Sequence, residues 1–225
     1  MNLKPRFNWL TNKHADDINR LAGAFPKALN DDVREVLAML PFEKENVLLS
    51  DGTRHRVDNF LSGQDFQLTL RGERICSPYR LYLDEPEPSR LDNLSDDQRT
   101  VVNCIYLRHH NGHVRQNHLK KLVRATDYFI CPFIVQFIGE YVIELLYIVE
   151  SAITPTTLNE YSDFIISNPL YWKKTKSRMT SYWDAYHRRD FPELREYIGK
   201  RLVNRLDSAA RDLSVRHGDE VMKMQ

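Results

Sequence analysis

The chain has 225 residues, 42% of them apolar and 28% charged, with a formal net charge of +1. That balance excludes a disordered chain and lets a core form without disulfides or metal. Eight glycines are too few for an all-β fold of tight turns or for glycine-rich phosphate loops.

Cys76, Cys104 and Cys131 are widely spaced and form no CxxC pair, which points to a reducing, cytoplasmic setting. The opening Met1–Phe7 stretch has no continuous apolar run, so no signal peptide is expected. The most apolar window, Ile130–Val149, contains Pro132, Gln136, Glu140 and Glu144. A carboxylate at mid-membrane costs about 2.5–3.5 kcal/mol, so this window is expected to form a buried helix pair broken at Gly139, and no membrane partner is expected.

In chain order, Ile18, Leu21, Ala22 and Phe25, then Val33, Val36, Leu37 and Leu40, recur at helical spacing and end at Pro26 and Pro41. Asp16-Asp17 and Asp31-Asp32 sit near the starts of these two helices, where carboxylates complement the helix dipole. The period then changes. Asp51-Gly52 suits a hairpin turn, and Phe66/Leu68/Leu70 and Tyr79/Leu81/Leu83 alternate as half-buried strands do. A small antiparallel sheet of three or four strands is expected.

Asp84-Glu-Pro-Glu-Pro-Ser is acidic and rich in proline, with no apolar periodicity. It marks the expected division: an N-terminal α+β region over 1–83, a linker over 84–94, and a helical domain over 95–225. Ser95-Asp-Asp-Gln98 and Thr157-Leu-Asn-Glu160 read as capping boxes. Helices are expected over 113–124, from Asn168-Pro169, and from Asp190-Phe-Pro-Glu193, the last with an apolar stripe of Leu194, Ile198, Leu202, Leu206, Ala209 and Leu213.

The helical turn Asn111-Gly-His-Val114-Arg115, followed by Pro132-Phe-Ile-Val-Gln-Phe-Ile-Gly-Glu-Tyr-Val142, resembles a HEAT-like α-helical repeat over residues 95–153. Asn replaces the family's aspartate in the first unit, and Ile143 its arginine in the second. The resemblance implies stacked helix pairs that present a binding surface. The fold class expected is therefore α+β, mainly α: N-terminal helices and a small antiparallel sheet, followed by a stacked, HEAT-like bundle.

Residues 98–126 hold Arg108, Arg115, Lys120, Lys121, Arg124, four histidines (109, 110, 113 and 118) and no acid after Asp97. Arg108-x4-His113 fits the pattern of the all-helical HEPN ribonucleases, in which histidine moves the 2′-hydroxyl proton and arginine stabilises phosphate charge. Arg115, His118, Lys120, Lys121 and Arg124 could instead bind nucleic acid or a protein. Aromatic residues are dense between Tyr161 and Tyr197, with Tyr182 and Trp183 the candidate binding pair beside Lys173, Lys174, Lys176 and Arg178. No Walker loop, nucleophile elbow, HExxH or dinucleotide fingerprint occurs, so neither metal nor cofactor is expected. The leading expectation is a non-catalytic adaptor for a protein partner, with the nucleic-acid or ribonuclease reading as its alternative.

Overall fold

The computed structural model describes residues 14–223, with side chains through residue 216. The Met1–Phe7 expectation lies outside the described residues. The chain is 58% helical with a small antiparallel β component, an α+β, mainly α fold. Two compact units form, one holding the described residues up to 68 together with 73–118, the other 69–72 and 119 onward. The proline-containing stretch at 84–94 is therefore not the boundary. It belongs to the first unit, where Tyr106 Oη donates to the Asp84 carbonyl at 2.7 Å and the Leu48 amide donates to Asp84 Oδ1 at 3.0 Å.

In the first unit, α1 (Ala15–Ala22) and α2 (Asn30–Met39) bury Ile18, Leu21, Val33, Val36 and Leu37, as their spacing predicts. Asp17 does more than complement a helix dipole. It is 5% exposed, and its Oδ2 accepts the Phe60 amide at 2.7 Å. Burial raises its pKa, while that bond and the Arg20 charge pull the other way. Arg20 also grips Asp65 with two bonds, of 2.9 and 2.6 Å, tying α1 to the β segment.

The strands are β1 (Asn46–Leu48), β2 (Arg54–Arg56), β3 (Leu61–Ser62), β4 (Phe66–Leu70), β5 (Glu73–Ser77) and β6 (Arg80–Leu81). They pair as three two-stranded ladders, β1–β2, β3–β6 and β4–β5, and not as one sheet of three or four strands. The reason is local. Beyond β3, the backbone of Leu81 bonds to the Arg108 carbonyl and the His110 amide, both at 2.8 Å. A loop thus takes the edge that another strand would need. The β4–β5 turn places Arg71 at φ 48° and Gly72 at φ 81°, the doubly positive geometry whose twist matches a two-residue hairpin.

Helix α3 (Asp96–Tyr106) opens with the expected capping box: Gln98 N donates to Ser95 Oγ at 3.2 Å and Ser95 N to Gln98 Oε1 at 3.1 Å. It packs on α2. Helix α4 (Gly112–Lys121) ends earlier than the 113–124 spacing predicts.

The second unit is helical. It contains α5 (Cys131–Val135), a 3-10 turn over Gln136–Gly139, α6 (Ile143–Ala152), α7 (Leu158–Ser167), α8 (Pro169–Tyr182) with a π-helical turn over Trp183–His187, and α9 (Ile198–Lys223). The break at Gly139 is real. A Cβ there would lie 3.3 Å from both the Thr175 carbonyl and Arg178 Cβ, so α8 approaches the bare backbone. Glu140 and Glu144 do not share a helix face: Glu140 lies in the connector before α6 and is buried, while Glu144 is exposed.

Thr157 does not close a capping box. Its hydroxyl donates to the Ala152 carbonyl at 2.9 Å and accepts the Thr154 amide at 2.9 Å, while Glu160 accepts from Arg71 at 2.8 Å. The tight turn out of α6 and the hairpin-tip arginine thus claim the groups a box needs. The last helix begins at Ile198, after a 3-10 turn at Leu194–Glu196, and not at 190–193. Ile198, Leu202 and Leu206 are buried as expected, facing α6 and α7, while Ala209 and Leu213 are half-buried.

Asn168 joins α7 to α8. Its Oδ1 accepts the Thr69 amide at 2.7 Å, and its Nδ2 donates to the Thr69 carbonyl at 2.7 Å and the Phe164 carbonyl at 2.8 Å. An alanine at Asn168 strands both backbone groups of Thr69. The expected loss is about 2–3 kcal/mol of stability, read as a lower urea midpoint at unchanged m-value.

Candidate functional site

The basic segment turns most of its chemistry inward. Arg108 is 1% exposed, and its Nη2 donates to Ser77 Oγ at 3.1 Å. His113 stands exposed at the start of α4. A guanidinium so enclosed has no face for a phosphate in solvent, so the two residues are not presented as the expected Arg–His ribonuclease pair. Arg115 is buried too, and its Nη1 caps the His109 and His110 carbonyls at 2.9 and 3.0 Å. His118, 2% exposed, sets Nδ1 2.7 Å from Asn103 Oδ1 and Nε2 2.9 Å from Glu85 Oε1. Arg115 and His118 are internal struts. Lys120, Lys121 and Arg124 are exposed, with no ion pair among the described residues.

The histidines join a file of rings. Tyr82 stacks on His110 at 4.9 Å, His110 meets His109 at 4.2 Å, and Tyr106 lies 6.0 Å from His109 and 5.0 Å from His118. The Asn111 amide donates to His109 Nδ1 at 3.1 Å, which leaves the proton of the neutral ring on Nε2. Burial, with the neighbouring His110 adding to it, lowers the His109 pKa to about 4. Burial also lowers His110 and raises the Tyr106 phenol well above its ordinary value. Among the described residues, no three His, Cys, Asp or Glu side chains are placed to hold a metal ion.

In the second unit, Tyr182 and Trp183 are half-buried. Tyr182 joins Tyr141 and Tyr186 in a surface triangle with ring centroids 5.5–6.0 Å apart. The Trp183 indole donates to the Phe191 carbonyl at 2.9 Å. These rings pack on one another and pin the π-helical turn. Elsewhere in the stretch, Tyr161, Phe164, Trp172 and Tyr197 are core.

The feature that sequence reading missed is a groove of about 800 Å³. One wall is Ile165 and Ile166 at the end of α7 with Pro169, Trp172, Lys173 and Lys176 of α8; the other is Asp207, Ala210, Arg211, Ser214 and Val215 of α9. The α8 positions fall at steps of three and four, as do those of α9, so each wall is one helix face about two turns long. Trp172 Nε1 donates to Asp207 Oδ1 at 2.7 Å, and Lys176 Nζ lies 3.2 Å from Asp207 Oδ2. This clasp holds the two walls together at the floor. Apolar side chains of its walls remain open: Ile166 is 40% exposed and Val215 63%. The only sequence signal was apolar residues off the buried stripes. Two walls some forty positions apart hide it from any local window.

No protein-family model, curated protein or solved structure matches the chain. Among the described residues, no helix is long and apolar enough to cross a membrane.

The buried neutral His109 makes stability depend on pH with a defined sign. Between about pH 6.5 and 4 the unfolded chain binds the proton that the folded ring refuses, so stability is full above this window and falls as pH drops through it. Relative to a His109→Gln variant, the wild type should lose roughly 3 kcal/mol across the window, measured as the divergence of their urea midpoints.

Proposed function

We propose that the protein is a non-catalytic interaction module that holds a protein partner in the groove between α8 and α9. The observation that carries this reading is a mostly apolar trough whose walls leave Ile166 and Val215 exposed to water. Exposed apolar side chains gathered around a concavity are the mark of a binding surface. Scattered singly, they would need no explanation. The inward turn of Arg108, Arg115 and His118 supports the same reading, since it withdraws these groups from catalysis on a soluble substrate. The groove residues, 165–215, lie beyond the 95–153 stretch that resembles a HEAT-like repeat, so this reading rests on the groove itself.

A photo-crosslinking residue at Ile166, introduced in cells that produce the protein, tests the proposal. It should capture a discrete protein, the same residue at exposed Lys121 should not, and Val215→Asp should abolish the capture. Equal capture from both positions would sink the reading.

A second reading is carried by Lys120, Lys121 and Arg124, whose exposed cations suit a phosphate backbone. If they bind nucleic acid, affinity for a random single strand should fall steeply with salt, and charge removal at the three should flatten that slope. Binding absent at low salt excludes it.

A further inference from the structure

We infer that the occupant of the α8–α9 groove is an amphipathic helix of another protein with carboxylates flanking its apolar face, an inference that rests on the groove reading above. Three observations converge on it.

The first is shape. Both walls are helix faces whose lining residues recur every three or four positions, and two such faces leave a trough that a third helix fills with its own i, i+3, i+4, i+7 side chains. The residues lining the trough belong to helices, with no strand edge among them, so an extended peptide would find no ladder to join.

The second is chemistry along the floor. Ile165, Ile166, Pro169 and Trp172 on one side and Ala210 and Val215 on the other give an apolar seam about two turns long. It accepts Leu- or Ile-type anchors. The one carboxylate, Asp207, already bonds Trp172 and Lys176.

The third is charge on the rim. Lys173 and Arg211 line the groove, are exposed, and make no ion pair among the described residues. With the Lys176–Asp207 pair neutralising itself, the rim carries two uncompensated positive charges. A flank of Glu or Asp on the incoming helix meets them; a basic flank is repelled. The chain's own opening segment fails this test, because Met1–Lys13 carries Lys4, Arg6 and Lys13 and no acid.

The test uses the full-length protein and three labelled synthetic helices. They share a Leu/Ile stripe and differ only in their flanks: glutamate, glutamine or lysine. Binding is read by fluorescence anisotropy, with the protein's own tryptophan emission reporting contact at Trp172. The glutamate helix should bind about ten-fold tighter than the glutamine helix, the scale of two or three exposed ion pairs, and added salt should erase the difference. Lys173→Glu combined with Arg211→Glu, both at exposed positions, should transfer the preference to the lysine helix while helical content stays unchanged.

Equal affinity for all three helices, lost in Ile166→Asp, would overturn the acidic partner and leave the groove reading standing. Failure of every helix to bind, or binding indifferent to Ile166→Asp and Val215→Asp, would overturn both. A concentration-dependent dimer in sedimentation, disrupted by Val215→Asp, would assign the groove to a second copy and overturn the inference.

Discussion

The angle between α7 and α8 is set by one amide. Asn168 ends α7 by bonding the Phe164 carbonyl, turns the chain into Pro169, and satisfies both backbone groups of Thr69. Its own carbonyl accepts the Trp172 amide at 2.9 Å in the first turn of α8. Because a buried amide has four hydrogen-bonding positions and few rotamers, a side chain bonded at three of them leaves the backbone little latitude. Everything downstream inherits that direction: where α8 lies against α9, where Trp172 meets Asp207, and therefore how far the groove walls stand apart.

Hairpin-tip residue Arg71 reinforces the same corner. Its guanidinium bonds Glu160 of α7 at 2.8 Å and lies 3.9 Å over the Tyr128 ring. Exposed ion pairs contribute little singly, but here the cation, its carboxylate and an aromatic face act on the helix that Asn168 terminates. The long helix α9 then buries Ile198, Leu202 and Leu206, each worth about 1.5–3 kcal/mol. Its later half leaves Val215 exposed. Core and groove are thus successive stretches of one helix, separated by where its neighbours end.

The first unit shows why polar residues mislead a reader of sequence. Arginine and histidine crowded into 108–118 look like a place where charge is offered to a ligand. Folded, Arg115 caps the His109 and His110 carbonyls of a loop that pairs with β6 only through Leu81, His118 bridges Asn103 and Glu85, and His109 is held neutral by burial. These groups repair a backbone and a core. An irregular 108–110 segment pressed against Leu81 leaves carbonyls that need donors, and long basic side chains can reach them.

Sequence alone determined what is local. Helical spacing placed α1 and α2, Ser95 and Gln98 announced the box that opens α3, proline marked the start of α8, and glycine the break before α6. Each depends on neighbours within about four positions, where steric and hydrogen-bonding rules act without knowledge of the rest. Tertiary structure decided what depends on distant partners. It denied Thr157 its box because Ala152 and Arg71 competed for its groups, split the expected sheet into three ladders because a loop occupied the edge of β6, and moved the unit boundary past the proline-containing stretch. It also made the groove, whose walls come from residues some forty positions apart. No periodicity records which two faces will meet, because burial is a property of the assembled neighbours and not of the residue.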